Sequence, residues 1–504
     1  MTARVVSATA IGFDGHIIEI ECDAKNGLPT LAIVGLGNKA IDEAKERVRS
    51  AVQNSHLDWP KEKAKLTINL APANLPKDGS HFDLPIALAI LIVSGQLQQR
   101  SLDGIMCAGE LSLSGELRPV RGIINIAETA RENGCHSVIV PFENAPQAAL
   151  VKDIAVIGAR SLADVYLHLL GEKRIEPSLF NQSAKAVVYS TDIADIHGQE
   201  QAKRALVIAA AGGHNLLLDG PPGAGKTMLA RALVSILPPP TYEEQIAITK
   251  LHSLVGEATD VIVTERPFRS PHHTSSQISL VGGGAKPLPG EISLAHCGVL
   301  FLDELPEYPR TSLEALRQPL EDRQVHVARA AGRVSYPANF MLIATKNPCP
   351  CGYYGDPNHE CSCSMPQILN YQKRVSGPLL DRIDLVISVA RVNEKDLLRR
   401  SADAQSPEKR EQVTKARVKQ RLRNNNLTNA ELPSKNIAER TQLGDDARDL
   451  LTQAAERLKL SARSYFKLIK VARTIADLED SDMILAAHMA EALQYRHRTA
   501  NERS

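Results

Sequence analysis

The chain has little aromatic surface: of its 504 residues only one is Trp, ten are Tyr and eight are Phe. So sparse a set argues against runs of base-stacking platforms as its main contact chemistry. A charge bias is missing too. Lys+Arg 59 stand against Asp+Glu 58, so net charge neither supports nor excludes a polyanionic partner. Long apolar runs are absent: the longest, Leu84 to Val93, carries Pro85 and is too short to cross a bilayer. The first residues lack the basic-then-apolar pattern of an export signal. Together these absences give the expectation of a soluble, cytoplasmic protein with no membrane partner. Cysteine is scarce, and eight in a chain this long do not make a disulfide scaffold, yet four crowd between Cys349 and Cys363.

What is present centres on His214 to Leu305. Leu216-Leu217-Leu218-Asp219 reads as a short buried strand and runs into Gly220-Pro221-Pro222-Gly223-Ala224-Gly225-Lys226-Thr227. That octet fits the phosphate-binding pattern G-x-x-x-x-G-K-[ST]. A helix from Met228 to Leu237 follows, stopped by Pro238-Pro239-Pro240. Glycines let the backbone wrap a polyphosphate, so its N–H groups and the helix N-terminus face the anion. Lys226 can then reach the β/γ-phosphates, and the Thr227 hydroxyl can hold Mg²⁺. The stretch from Gly220 to Met228 is therefore the expected ATP cradle. Downstream, Gly298-Val299-Leu300-Phe301-Leu302 ends in Asp303-Glu304. An Asp at the end of a buried parallel strand can share the Mg²⁺ with Thr227, and the Glu can orient or deprotonate water. Taken alone the pair is also a solvated acidic turn. After a phosphate loop it points to an NTPase.

At roughly 100–200 residues per domain the chain should hold about three. Residues 1–172 read as a separate α/β domain. Val5 to Ile11 and His16 to Glu21 are strands about a turn at Asp14-Gly15, Leu31 to Leu36 and Lys65 to Leu70 are further strands, and Lys39 to Gln53 and Leu84 to Val93 are helices. Ile124 to Asn133 is helical and Ser137 to Pro141 a strand. Pro76-Lys77-Asp78-Gly79, Ala108-Gly109-Glu110-Leu111 and Gly134 to Pro141 resemble the proteolytic domain of Lon, a ribosomal-S5-like α/β fold. Aligned on these motifs, Lon's Ser–Lys dyad falls on His81 (with Ser80 one residue early) and Ile124. Isoleucine cannot take a hydroxyl proton, so the resemblance implies a non-proteolytic scaffold for assembly or DNA contact. Lys61, Lys63 and Lys65 are either a solvated strand face or a DNA patch.

A linker over 173–187 precedes a core over 188–392. Between its nucleotide motifs lies an insert: Arg266-Pro267-Phe268-Arg269-Ser270-Pro271-His272-His273, then Leu280-Val281-Gly282-Gly283-Gly284, then Pro287-Leu288-Pro289-Gly290-Glu291-Ile292. This string is similar to the helix-2 insert of magnesium-chelatase-like AAA+ proteins. With the Lon-like domain before it, the whole chain resembles the YifB/ComM family, the competence-associated ComM proteins among them. Metal binding by His272-His273 is disfavoured, since adjacent loop histidines diverge and no Cys or His nearby completes a site.

Several site expectations follow. Ser312 to Leu320 reads as a helix. Gln324 to Arg329 and Arg333 to Tyr336 read as a hairpin with Arg329 and Arg333 at its tip; the resemblance places such hairpins in a ring's central channel, where tip arginines can neutralise DNA phosphates. A surface hairpin with solvated arginines is the alternative. The resemblance makes Asn347, after the strand Phe340 to Thr345, the sensor of the γ-phosphate. Cys349, Cys351, Cys361 and Cys363 match the number and softness of a structural Zn²⁺ site, with buried reduced thiols as the alternative and His359 as a substitute ligand. In Leu379-Leu380-Asp381-Arg382-Ile383-Asp384, Arg382 resembles an arginine finger that reaches a neighbour's ATP, with Arg374 in reserve; it can instead pair with Asp381 or Asp384. Arg463 resembles the second sensor, contacting the γ-phosphate of its own or a neighbouring ATP. From 393 to 504 the chain reads as a helical lid, and between Lys395 and Arg423 ten basic residues face four acidic ones, either a nucleic-acid face or a solvated helix.

The fold expected is α/β: a Lon-like N-terminal domain, an AAA+ P-loop α/β/α core and a helical lid. The function implied is a homo-hexameric ATPase motor on single-stranded or branched DNA, a helicase promoting branch migration in recombination and natural transformation, with recombination proteins as further partners. A protein-remodelling ATPase and a chelatase-type metal-insertion motor remain the other readings.

Overall fold

The computed structural model describes every residue except 1, 29, 36–38, 61–63, 78, 181–188, 190, 258–261, 285–286, 330–331, 358, 392–404 and 497–504, with side chains at 39–42, 328–329 and 332–333 also undescribed. The expectations for Lys61, Lys63, Asp78, linker residues 181–187 and the start of the basic stretch lie outside the described residues.

The N-terminal part is a seven-stranded mixed sheet, in spatial order Thr30–Val34, Ala64–Ala71, Asp14–Asn26, Thr2–Ile11, Ile105–Cys107, Ser137–Pro141 and Ala155–Ala159. Its first hairpin turns at Gly12-Phe13, two residues earlier than expected, because Ile11 pairs with Asp14. Gly12 has φ +69°, a conformation that costs glycine little. The longest apolar run becomes the helix Asp83–Val93, buried on every side. That explains a helix hydrophobic all round without a membrane, and among the described residues no helix is long and apolar enough to cross one.

The second sheet has five parallel strands in the order Phe268–Arg269, Val299–Leu302, Met341–Lys346, Leu216–Asp219, Leu385–Ser388. Such a sheet needs cover on both faces, hence its continuous apolar strands. Leu216, Leu218, Val299, Phe301 and Ile343 share one core with the helices Glu200–Gly212 and Lys226–Ile236 and with the C-terminal helices Ser406–Arg423 and Ala462–Leu478. Leu217, Leu300, Leu302 and Leu342 face the opposite core, with the insert and hairpin. The expected helix Ser312 to Leu320 is two short ones, Arg310–Ala315 and Arg317–Asp322. Pro319 has no N–H to continue the first, so the ladder breaks at Leu316.

The two α/β parts are docked through the helix Tyr242–Val255. Lys250 Nζ, buried, lies 2.5 Å from Glu128 Oε2 and sits over the Phe13 ring at 4.1 Å. Gly122 N donates to Ser253 Oγ at 3.1 Å. In the Lon-like positions, Ile124 is buried in apolar core, His81 Nε2 is 3.1 Å from Ala8 O, and Ser80 Oγ bonds Glu110. No amine is among those contacts.

The basic helix Ser406–Arg423 is solvated along one face, where Lys415 and Lys419 are exposed, but four of its arginines turn inward. Arg410 donates to Ser235 O, Arg417 is buried and donates to Ala210 O at 2.9 Å, Arg421 pairs with Glu244 at 3.1 Å and Arg423 with Asp477 at 2.8 Å. Arg410, Arg417 and Arg421 fasten the lid to the core, and Arg423 ties two lid helices together.

Candidate functional site

All five parallel strands end at one edge, where the phosphate loop meets the acidic pair and Asn347. Gly223 (φ +75°) and Gly225 (φ +79°) hold the loop's left-handed turns, and a Cβ at either would meet nothing within 4 Å. Those glycines serve conformation, not close packing, and the arch stays open outward. The helix Lys226–Ile236 begins immediately after, with Gly225 as its N-cap, so its free N–H groups and dipole face the arch.

Lys226 is almost fully buried and folds back on its own loop. Its Nζ donates to Gly220 O at 2.6 Å, Pro221 O at 2.9 Å and Asn347 Oδ1 at 3.0 Å. Three acceptors satisfy the three ammonium protons, all of them neutral. Burial pulls the ammonium below its ordinary value, against the nearby carboxylates of Asp303, Asp219 and Glu304. A polyphosphate would replace neutral acceptors by charged ones, and such bonds are roughly twice as strong. Thr227 Oγ1 is 3.3 Å from Asp303 Oδ2. That hydroxyl and carboxylate can hold one divalent cation between them, and the residues present fit ATP with Mg²⁺.

Thr345 links the acidic pair, a role no sequence motif marked. Its hydroxyl donates to Asp303 Oδ1 at 2.6 Å and accepts from Glu304 N at 2.9 Å. Glu304 itself is exposed and left-handed, φ +52°, a conformation that a non-glycine residue keeps only where its surroundings fix it. Gln199, the N-cap of the helix Glu200–Gly212, donates to Ala224 O at 2.7 Å and Ala390 O at 3.1 Å.

The two predicted arginines lie together elsewhere. Arg382 Nη2 and Arg463 Nη1 each stand 2.8 Å from the same Glu321 Oε1. Arg382 thus pairs with neither Asp381 nor Asp384; the latter accepts from Asn215 N at 3.0 Å. Burial pushes the Glu321 carboxyl up, but the two guanidiniums outweigh it and hold the group below its usual range. Glu321, Arg382, Arg463, Lys467 and Lys470 line an open groove to which no phosphate-loop residue contributes. Arg374 is paired with Glu307 at 2.9 Å.

The four cysteines of the loop after Asn347 converge, their sulfurs all within 4.8 Å of one another. His359 is outside that group, stacked on Tyr353 with ring centroids 5.0 Å apart. His272 and His273 belong to no potential metal group among the described residues. The hairpin forms, with its second strand starting at Gly332, one residue earlier than expected: Val325 faces Tyr336, Val327 faces Val334, Arg329 lies opposite Gly332 and Arg333 opposite Ala328.

Three family models match the chain. "Magnesium chelatase, subunit ChlI" covers residues 192–397, "Subunit ChlI of Mg-chelatase" covers 20–144 and "Magnesium chelatase, subunit ChlI C-terminal" covers 403–496. The protein YifB of Salmonella typhimurium is 44% identical over 495 residues, 98% of this chain and 97% of its own length. Competence protein ComM of Haemophilus influenzae is 43% identical over 500 residues, again 98% and 97%. Lon protease 2 of Bacillus subtilis is 30% identical over 144 residues, 27% of this chain and 26% of its own length. Matched end to end, with a Lon-like sheet docked on a chelatase-like core, the chain belongs to the YifB/ComM family of magnesium-chelatase-like proteins.

Proposed function

We propose that this protein is a ring-forming AAA+ ATPase, a homo-hexamer that turns ATP hydrolysis into movement on DNA. One observation carries the ring. Lys226, Thr227, Asp303 and Asn347 meet within one chain, whereas Arg382 and Arg463 sit in a groove without a phosphate loop. A second copy bringing its phosphate edge to that groove supplies what each half lacks. Gly220 to Met228 then cradle ATP, Thr227 and Asp303 hold Mg²⁺, Glu304 aligns water, and Asn347 senses the γ-phosphate. Arg382 and Arg463 act on the neighbour's nucleotide, where added positive charge stabilises the transition state. Zn²⁺ in the four-thiol cluster is a further cofactor of this reading.

The DNA half rests on the relative named competence protein ComM and on Arg329 and Arg333, which flank the turn of a hairpin. In a ring such a tip can follow a phosphate backbone. The task inferred is branch migration during recombination and natural transformation, alongside recombination proteins, in the cytoplasm.

Steady-state ATP hydrolysis without DNA, and with single strands, duplex or a synthetic four-way junction, tests this against a Lys226→Ala blank. Stimulation strongest on the junction, and lost in Arg329→Ala with Arg333→Ala, is expected. Hydrolysis indifferent to every DNA would remove DNA as the track and favour the chelatase-type or protein-remodelling motor.

A further inference from the structure

The cysteine loop has a geometry and a position that the ATPase reading leaves unused. Four thiolates around a tetrahedral Zn²⁺, each about 2.3 Å from the ion, stand roughly 3.8 Å apart. Here Cys349 Sγ lies 3.3 Å from Cys351 Sγ and 3.7 Å from Cys361 Sγ, with Cys351 to Cys361 at 3.6 Å. Cys363 completes a group spanning no more than 4.8 Å, and none of the four is in a disulfide. That enclosure suits one ion, and an all-thiolate tetrahedral set selects a soft or borderline metal.

The loop leans on the phosphate arch. Gly352, one residue past the second thiol, has φ +87°, and a Cβ there would lie 2.5 Å from Pro222 Cδ. Arg391 Nη2 donates to Pro222 O at 3.2 Å, and its guanidinium also lies 3.8 Å from Asp356 Oδ2 and over the Tyr353 ring at 5.3 Å. The first thiol is two residues from Asn347, whose Oδ1 holds Lys226 Nζ at 3.0 Å. One short loop therefore touches the arch from outside and anchors the residue that grips its lysine from inside.

We propose that Cys349, Cys351, Cys361 and Cys363 bind Zn²⁺, and that the metal-held loop braces Pro222 and Asn347 for ATP. The brace rests on the phosphate loop binding ATP. Without the ion the four sulfurs take up protons and lose their common cross-link, the loop relaxes, and both contacts to the arch loosen.

Metal analysis of the full chain purified without chelator is expected to find one zinc per chain. Absence of zinc, or iron in its place, overturns the assignment. Extraction with an organomercurial should weaken binding of a fluorescent ATP analogue about tenfold, with recovery on adding Zn²⁺. Gly352→Ala separates brace from fold, since it keeps all four ligands: zinc should stay at one per chain while nucleotide affinity falls. Unchanged affinity in both the extracted protein and Gly352→Ala overturns the brace. Wild-type protein that carries zinc but binds no ATP overturns the phosphate-loop reading and the brace with it, and leaves the zinc centre standing.

Discussion

Lys226 and Arg382 are both cations expected to act on ATP phosphates, and the fold treats them in opposite ways. Lys226 is enclosed, its protons on three neutral acceptors of its own chain, in a place a polyphosphate can enter. Arg382 and Arg463 share one carboxylate at an open groove, but the Arg382 side chain is only 9% exposed and also donates to Arg317 O at 3.1 Å and Pro378 O at 2.6 Å. The Arg463–Glu321 pair is exposed on both sides, and exposed ion pairs hold by about 0–1 kcal/mol, so an incoming triphosphate can take Arg463 at small cost while the carbonyls keep Arg382 in place. The phosphate edge is assembled within one chain; in the proposed ring the groove is where a second chain would bring its own.

Three substitutions would break or sharpen that contrast. Lys226→Ala should remove ATP binding and turnover together, down to the blank, because among the described residues it is the cation on the carbonyls of Gly220 and Pro221; retained turnover in a steady-state assay would end the phosphate-loop reading. Arg382→Ala should bind ATP normally and lose roughly a thousandfold in hydrolysis, the scale of a missing finger. Mixed rings decide where it acts: chains of Lys226→Ala, which hydrolyse nothing themselves, should restore turnover to Arg382→Ala chains by lending intact arginines. Failure of that rescue would place Arg382 outside the neighbour's site. Glu304→Gln should still bind ATP, with hydrolysis down about 10²–10⁴, the range for a lost general base, and its own defect should resist rescue by neighbours.

The enclosed half was legible in the sequence because its parts are local. A strand, a glycine loop and a helix follow one another without a break, and two adjacent carboxylates end a strand of four apolar residues. Asn347 needed the family resemblance. Thr345, Gln199 and Arg391 escaped notice because their contacts span 25 to 191 positions, and nothing in residue type singles out a threonine ending a strand. Charge counting misjudged the arginines of the helix Ser406–Arg423, though not its exposed lysines, for a related reason. An arginine run reads as solvated or DNA-facing, yet Arg417 is buried and fastened to Ala210 O, and Arg423 to Asp477. Glu321 was invisible altogether, since nothing near it in sequence announces that two distant arginines will converge there.

Glu321→Gln is the smallest and most discriminating change. It keeps the side chain's size and removes the charge that holds both guanidiniums. Isolated chains should lose no more than about 1 kcal/mol of stability. If Glu321 is a latch, freed arginines should favour assembly, and hydrolysis at low protein concentration should rise roughly two- to fivefold. If Glu321 instead aims Arg382 at the neighbour, the same variant should lose turnover nearly as Arg382→Ala does. The pH dependence separates the latch from ordinary acid sensitivity. Because the folded carboxyl sits below its usual range, its stabilising contribution is full above that range and fades only as pH falls through the lowered value. A latch would therefore stay shut by charge across neutral pH, and a competing anion should open it. Adding inorganic polyphosphate in trans should then raise assembly of the wild type but not of Glu321→Gln, since a groove already unlatched gains nothing from the competitor.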